Sequence, residues 1–373
     1  MKKVLIISNI PAPYRVALFA YLQAHRKDIC WHILYTSHTE GDRAWQVSLE
    51  GLENVHFLRS HVLKVKGGAV GGTASRFIHI PYGLTKTLNE VKPDVIIGGE
   101  YNLSAVRALL WAKRHGVPYV NMTDGTLRSE TYIGRVQRAT RKLIIGKADS
   151  FLASGTRAKE KLLHWGADPE KIAVSYLTVD VTPYLRLQRQ PEPGSLLYVG
   201  RISREKGLDL LVAALAKMRK DCVLQVVGND VDGEQEKIQA LAEELGVASK
   251  IRWLGYREGE ALYQAYARAA VLAVPSRSDC FGLILVEAGC AGLPIVASCY
   301  ADGACDVITP GVNGQIADPE KPEAFAACLD GLLESPGAPE TLRGALGEKF
   351  SFAAAAEGYV RAVNLAEGGG NHG

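Results

Sequence analysis

The chain has 373 residues, of which 47% are hydrophobic and 22% charged, with a net charge of +3. This composition excludes disordered and fibrous proteins, and the length predicts two domains that each bury a core. No apolar run approaches the ~20 residues that span a bilayer, and the seven scattered cysteines include no Cys-x-x-Cys pair. We therefore expect a protein of the reducing cytoplasm without a disulfide framework.

The first half of the chain alternates predicted strands and helices, which is typical of a doubly wound parallel sheet. The strands are predicted at residues 4–8, 31–35, 93–97, 117–122 and 148–154, the last being the final strand of this domain. Ligands of such sheets bind beyond the carboxyl ends of the strands. Glu100 and Tyr101 follow the third strand and Asp124 follows the fourth, so these side chains are candidates for ligand contact.

Two stretches of the first half carry positive charge. Residues 61–83 are rich in glycine and predict either a mobile loop for an acceptor or a membrane, or a plain surface excursion. One predicted helical segment holds six basic residues among apolar ones: Arg128, Arg135, Arg138, Arg141, Lys142 and Lys147. It is either a docking face for anionic membrane lipid, at about 1 kcal/mol per basic residue, or a solvated helix face. Residues 1–185 hold 25 Lys and Arg against 15 Asp and Glu, which favours the membrane slightly. No nucleic-acid motif accompanies the charge, so we expect no nucleic-acid partner.

Three prolines between Pro183 and Gly194 predict a linker, with domains at residues 1–184 and 185–351. The second domain begins with a strand at 196–199, which runs into a loop from Gly200 to Gly207. A glycine-containing loop with two cations, Arg201 and Lys206, suits a pyrophosphate. Charge-assisted hydrogen bonds of this kind contribute about 1.5 to 3 kcal/mol each.

The next loop, residues 228–233, contains Asp230 and Asp232 in an Asp-x-Asp arrangement. Aspartates in a glycine-flanked turn are usually turn formers, so we predict no metal site. Strands at 223–227, 251–254 and 271–274 and a helix at 261–269 complete the pattern of alternating elements.

The stretch from Pro275 to Ser298 predicts a strand end, a loop, a helix beginning at Phe281-Gly282 and a further strand. Glycine at 282 lets a ligand approach the backbone, and the first helical turn offers N–H groups and the positive end of the helix dipole to an anion. Asp279 and Glu287 stand on either side of that turn. A phosphate at the helix end and hydroxyl groups at the carboxylates together describe a sugar nucleotide.

These two motifs, Gly-Arg-x3-Glu-Lys-Gly and acid-x-Phe-Gly-Leu-x3-Glu-Ala followed by Gly-x-Pro-x-Val-Ala-Ser, resemble those of the retaining GT-B glycosyltransferases of family 4. The resemblance implies two Rossmann-like doubly wound domains that face each other across a cleft. The first domain would bind the acceptor and the second a UDP- or GDP-sugar. The last helix, at 352–367, would pack back on the first domain.

The resemblance also assigns roles to residues of this sequence. The diphosphate would lie on Gly200, Arg201, Lys206 and the backbone of Phe281, Gly282 and Leu283, the ribose on Glu287, the sugar hydroxyls on Asp279, and the base beside Tyr256. Arg15, Glu100, Tyr101 and Asp124 would lie on the acceptor side, with Arg201, Lys206, Asp279 and Asp124 at the reacting centre. Arg15 stands near a helix start where many relatives carry a Gly-Gly loop; a solvated surface position is the alternative. Asp124 stands where the family often has His. It would either contact the acceptor or the reacting centre, or cap the next helix.

The sequence therefore predicts a retaining, metal-independent glycosyltransferase without a cofactor. Its acceptor would be a glycan, including one on a membrane lipid, and its location would be the cytoplasm or the inner face of the cytoplasmic membrane. Asp279, Asp124 and Asp306 depart from the family's usual residues and leave open a sugar-nucleotide binding protein without catalysis. An NAD(P)-linked oxidoreductase and a sugar-nucleotide epimerase are weaker alternatives, the former because no Gly-x-Gly-x-x-Gly follows the first strand.

Overall fold

The structure is a computed structural model that describes residues 1–38, 48–66, 75–231 and 233–368, with residues 62–66 and 75–79 described by their backbone alone. The chain divides into two compact units. Unit 1 comprises Met1–Asp180 and the chain from Ser351 onward, and unit 2 is Val181–Phe350. Asp232, one of the two aspartates of the turn at 228–233, lies outside the described residues.

Unit 1 alternates strands and helices. Its elements in chain order are β1 (Lys2–Ser8), α1 (Pro13–His25), β2 (Ile29–Tyr35), β3 (Val55–Phe57), β4 (Arg59–Lys66), β5 (Ser75–Tyr82), α2 (Leu84–Val91), β6 (Val95–Gly99), α3 (Leu103–His115), β7 (Tyr119–Thr123), α4 (Arg135–Ile145), β8 (Ser150–Ala153), α5 (Thr156–His164) and β9 (Ile172–Val174). The strands pair in the order β3-β2-β1-β6-β7-β8-β9 with parallel register throughout, while β4 and β5 form an antiparallel pair of their own.

The strand order reverses at β1, whose two neighbours are β2 and β6. Loops that leave the carboxyl ends of β1 and β6 run to opposite faces of the sheet and open a crevice between them. The residues that follow β1 and β6, including Asn9 and Glu100, therefore lie at the place where a doubly wound sheet binds its ligand.

The two faces of this sheet bury separate cores because side chains alternate along each strand. Along β1, Val4 and Ile6 pack into one cluster and Leu5 and Ile7 into the other. The C-terminal helix α14 (Phe352–Ala366) covers the first face, where the Tyr359 ring packs edge-on against Phe19 with centroids 6.1 Å apart. The last helix is thus part of unit 1.

Unit 2 is a second doubly wound sheet. Its elements are α6 (Thr182–Arg186), β10 (Ser195–Val199), α7 (Leu208–Leu215), β11 (Val223–Val227), α8 (Glu234–Glu244), β12 (Ile251–Gly255), α9 (Gly259–Arg268), β13 (Val271–Val274), α10 (Leu283–Ala291), β14 (Ile295–Ser298), α11 (Ala304–Val307), β15 (Gly314–Ala317), α12 (Pro322–Glu334) and α13 (Glu340–Lys349). The parallel strands follow the order β12-β11-β10-β13-β14-β15. The order reverses at β10, so the ligand crevice of this unit lies between the loops after β10 and β13.

The segment predicted as a linker is packed on unit 2. It contains the short helix α6, and the guanidinium of Arg343 donates to the backbone oxygens of Tyr184, Leu185 and Leu187 at 2.6 to 3.0 Å. Arg189 donates to two further carbonyls of the unit at 2.6 Å each. Side-chain contacts made over long sequence distances therefore hold this segment against unit 2.

Three further expectations for the first half need correction. The strand at 148–154 is not the final one of its sheet, because β9 follows α5 and pairs with β8. Residues 61–66 and 75–82 belong to the β4 and β5 strands instead of a loop, and residues 67–74 lie outside the described residues. The basic segment from 128 to 147 is not one helix, since a single 3₁₀ turn at Arg128–Glu130 precedes α4.

Candidate active site

Two loops meet at the crevice of unit 2, one after β10 and one after β13. Gly207 has φ of +69°, and a Cβ there would collide with the carbonyl oxygen of Pro275, so glycine permits this close approach. Arg277 joins the loops again: its amide donates to the Glu205 carbonyl at 2.8 Å, and its guanidinium binds both oxygens of Asp209 at 2.6 Å. The two motifs found in the sequence therefore form one connected surface.

Lys206 and Asp279 form an ion pair across these loops. Nζ of Lys206 lies 2.5 Å from Oδ2 of Asp279, and both side chains are mostly buried. The backbone of Asp279 makes two hydrogen bonds. Its amide donates to the Tyr300 carbonyl at 3.1 Å, and its carbonyl accepts from the Asp302 amide at 2.9 Å. The carboxylate is consequently held both by its charge partner and by its backbone.

Gly282 opens helix α10 beside this ion pair. Its φ is +83°, and a Cβ there would lie 3.4 Å from Oδ2 of Asp279. Gly282 is the N-cap of α10, and no side-chain cap bond is made there. Helices leave their first backbone N–H groups without intrahelical partners, and these groups with the helix dipole favour an anion. Lys206 and the start of α10 thus offer positive charge at one place.

Glu287 lies on α10, about one turn after Gly282, and its carboxylate accepts a hydrogen bond from a side chain of α9. Tyr266 on α9 donates its hydroxyl to Oε2 of Glu287 at 2.6 Å. Burial raises the pKa of Glu287, and the hydroxyls of Tyr266 and Tyr184 partly offset that rise. The Tyr184 ring packs edge-on against that of Tyr266, with centroids 5.4 Å apart. This arrangement orients the carboxyl group assigned to the ribose.

The other predicted donor residues lie on loops of the same unit, each after a strand of its sheet. Arg201 follows β10; its guanidinium is 3.9 Å from the Glu205 carboxylate, and its backbone oxygen accepts from the Tyr198 hydroxyl at 2.8 Å. Phe281 is buried, with its ring against Phe350. Tyr256 is 58% exposed and donates to Glu258 at 3.0 Å. Within the described ranges, no group of three or more His, Cys, Asp or Glu side chains could hold a metal ion.

Unit 1 has a cavity of about 240 Å³ at its own crevice. The loop after β1, the first turn of α1 and the ends of β6 and β7 enclose it. It is lined by Ser8, Asn9, Ile10, Ala12, Tyr14, Arg15, Gly99, Glu100, Met122 and Asp124. Three of the four residues predicted for the acceptor side therefore lie in one cavity.

Arg15 and Asp124 form an ion pair in that cavity. Nη2 of Arg15 donates to both carboxylate oxygens of Asp124, at 2.5 and 2.7 Å, and Nη1 donates to the Tyr359 hydroxyl at 2.6 Å. The side chain of Arg15 is only 9% exposed, so the alternative of a solvated surface arginine is wrong. Burial works against the charge of Arg15, but the Asp124 carboxylate together with the hydroxyls of Tyr359 and Tyr14 outweighs it, and the pKa of the guanidinium is raised.

Both carboxylate oxygens of Glu100 accept hydrogen bonds. Its Oε1 accepts from the Asp124 amide at 2.7 Å and its Oε2 from the Thr123 hydroxyl at 3.1 Å. Lys161, which is wholly buried, donates to Thr123 at 2.6 Å. Glu100 has φ of +59°, a strained value for a residue with a side chain, and its hydrogen bonds hold it there.

Tyr101 does not line the cavity. Its ring is buried, with the Arg141 guanidinium and the Lys161 ammonium each 4.8 Å from the centroid. Both cations pair with the buried carboxylate of Glu130, at 2.7 and 3.5 Å. Tyr101 is therefore part of the packing behind the cavity wall, and the acceptor contact predicted for it does not fit its position.

Comparison with known proteins decides the family. Residues 186–349 match the model of the glycosyl transferases group 1. The D-inositol 3-phosphate glycosyltransferase of Segniliparus rotundus is 30% identical over 306 residues, which cover 74% of this chain and 67% of that protein. The enzyme of the same name from Rhodococcus jostii is 28% identical over 310 residues, covering 74% and 68%. This chain belongs to the group 1 glycosyltransferases.

The fold of this glycosyltransferase agrees with that of solved relatives. The crystal structure of Anabaena HepE in complex with UDP aligns with 98% of this chain and all of that chain, with a TM-score of 0.77 and 17% identity. Two parallel α/β sheets are typical of the GT-B glycosyltransferases, so the predicted class of two Rossmann-like doubly wound domains is confirmed. Membership of a transferase family also makes the oxidoreductase interpretation wrong.

Several residues of the glycosyltransferase site carried no recognisable signal in the sequence. Tyr266, Tyr359 and Lys161 act through partners that are between 21 and 344 residues away in the chain. The inward faces of α9 and α14 were predictable from their apolar spacing, but the hydroxyl on each face looked like ordinary core. Asp306 lies inside α11, where Lys349 donates to its backbone oxygen at 2.7 Å.

Proposed function

We propose that this glycosyltransferase moves a sugar from a nucleoside diphosphate to a hydroxyl of an acceptor, with retention and without a metal ion. The observation that carries the proposal is the convergence of Lys206, Asp279 and the Gly282 turn at the crevice of unit 2. Positive charge and hydrogen-bond acceptors at one place suit a diphosphate joined to a polyol. The UDP bound to Anabaena HepE supports a uridine donor, with guanosine as the alternative.

The roles of the residues follow from the charge that the reaction creates. Breaking the bond between sugar and phosphate leaves negative charge on the departing diphosphate. Lys206, Arg201 and the N-terminus of α10 would stabilise that charge, which a metal ion does in other transferases. Asp279 would accept hydrogen bonds from the sugar, and Glu287, oriented by Tyr266, from the ribose.

The cavity of unit 1 would receive the acceptor, with Asp124 and Glu100 accepting hydrogen bonds from its hydroxyls. Retention is proposed from the resemblance of the two motifs to those of the retaining GT-B glycosyltransferases; since we assign no nucleophile for a double displacement, the acceptor would attack on the face that the leaving group occupies. The departing phosphate would then assist removal of the acceptor proton on the same face. The anomeric form of the product, read from its NMR coupling constants, tests this part.

Membrane attachment is a second part of the proposal. On α4, Arg135, Arg138 and Lys142 are exposed, and Val136 is 80% exposed among them. Apolar and basic side chains on one helix surface suit the headgroup region of an anionic bilayer. This would place a lipid-linked glycan acceptor within reach. No helix of the described ranges is long and apolar enough to cross a membrane.

Incubation with UDP- and GDP-sugars and a membrane extract tests the proposal. Release of nucleoside diphosphate that depends on the extract, and its loss in Arg201→Ala with the unfolding temperature unchanged, is the expected result. A protein that binds the nucleotide saturably and releases none would be a binding protein. Full activity in Arg201→Ala would overturn the assignment of the donor loops.

A further inference from the structure

The charges of the unit 1 cavity limit what can enter it. Among the described residues that line it, the charged side chains are Arg15, Asp124 and Glu100. The lining therefore carries two carboxylates and one cation. A group that enters the cavity meets more negative charge than positive.

The single cation of this lining is already engaged. Its Nη2 is bound by both oxygens of Asp124, and its Nη1 by the hydroxyl of Tyr359. Both oxygens of Asp124 accept from this one nitrogen, so Asp124 occupies the Nη2 side of the guanidinium. Its negative charge also neutralises the positive charge that would attract an anion to Arg15.

The second carboxylate has no cation on the cavity side. Glu100 accepts from the Asp124 amide and from Thr123, and the nearest ammonium, that of Lys161, reaches Thr123 from the interior. Lys161 is itself paired with Glu130. A phosphate in the cavity would lie near the Glu100 carboxylate, and like charges repel.

We propose that the part of the acceptor that enters this cavity is uncharged and rich in hydroxyls, and that the cavity rejects a phosphate there. The inference rests on the proposed function, because it takes the cavity as the acceptor site. Arg15 is then a positioning residue that orients Asp124, and not an anion-binding residue. The curated relatives are named for an inositol phosphate. The group that enters the cavity of this chain would instead carry no phosphate.

The test measures binding of inorganic phosphate, by calorimetry, to the full chain in saturating UDP, which fills the proposed donor site. The proteins compared are wild type, Asp124→Asn and the double variant Asp124→Asn with Arg15→Gln. Asp124→Asn should release Arg15 and raise phosphate affinity by about tenfold or more, and the double variant should lose that gain. Asp149→Asn is the matched control, because Asp149 binds Lys113 through both oxygens at 2.7 Å elsewhere on the same sheet. It should leave phosphate affinity unchanged.

A wild-type protein whose phosphate affinity already equals that of Asp124→Asn, or an Asp124→Asn protein without the gain, would overturn the inference. A second measurement needs no variant: the Nε–H resonance of Arg15 in the wild type should not shift during a phosphate titration, and a saturable shift would count against the proposal. Neither readout needs turnover. Failure of sugar transfer, seen as absent nucleotide release, is therefore separate from failure of this inference.

Discussion

The ammonium of Lys206 lies 2.5 Å from Oδ2 of Asp279, directly beside the Gly282 turn. An ammonium has three N–H donors, so the ion pair leaves others for a phosphate oxygen. One lysine can therefore bind the diphosphate and at the same time hold the carboxylate assigned to the sugar. The pair joins the two sequence motifs directly.

Replacing Lys206 by Met should weaken binding of UDP or GDP by about 10- to 100-fold, because one charge-assisted hydrogen bond contributes about 1.5 to 3 kcal/mol. Titration calorimetry measures the change. Lys217→Met is the matched control, since Lys217 is an exposed lysine of unit 2 that pairs with Glu323 at 3.4 Å. Equal affinities for the two variants would remove Lys206 from the donor site.

Gly282→Ala should lower both stability and nucleotide affinity. The left-handed φ of +83° strains any side chain, at about 1 to 2 kcal/mol, and the new Cβ would lie against Asp279. Gly311 separates the two effects, because its φ is +79° and nothing lies within 4 Å of a Cβ there. Gly311→Ala should show a similar loss in urea-unfolding free energy with nucleotide affinity intact. A parallel loss of affinity in both variants would mean that the Gly282 backbone has no special role.

Tyr266→Phe should make the stability of the protein depend more steeply on pH. The pKa of Glu287 is raised by burial, so its contribution to stability is present below the ordinary value of 4.5 and is lost as pH rises through the folded value. Removing the Tyr266 hydroxyl raises that pKa further. As pH rises above 4.5, the variant should therefore lose more unfolding free energy than wild type, by about 1 to 3 kcal/mol. Adding Glu287→Gln should abolish the difference; a steeper profile that survives this change would assign it to another group.

The basic face of α4 should bind anionic vesicles. Arg135→Glu with Lys142→Glu reverses two exposed charges and should reduce cosedimentation with phosphatidylserine vesicles several-fold, since each basic residue contributes about 1 kcal/mol. The matched control is Arg141→Gln, because Arg141 is turned inward to Glu130 at 2.7 Å. If wild type and variant bind the vesicles equally weakly, α4 is not a membrane-binding surface.

Local patterns predicted the elements that position the site. The apolar run before Gly200 predicted β10, and the apolar spacing from Leu283 to the glycine at 292 predicted α10. Both predictions succeed because these elements are determined by residues close together in the sequence. Positions 201, 206, 279 and 282 were assigned by motif. The structure brings 206, 279 and 282 together in one crevice.

Contacts between distant residues could not be predicted in the same way. Arg15 and Asp124 are 109 residues apart, and neither sequence context distinguishes a buried ion pair from a surface arginine and a helix cap. Tyr101 looked like a cleft residue because it follows a strand. Its burial depends on Glu130, Arg141 and Lys161, which come from two later elements and the turn before them.

A structure of the protein with UDP or GDP bound tests the central claim most directly. The account expects diphosphate oxygens within hydrogen-bonding distance of the Arg201 guanidinium, the Lys206 ammonium and the backbone amides at the start of α10, with the ribose at Glu287. A diphosphate bound elsewhere, with Lys206 and the amides of that helix turn out of contact, would contradict it.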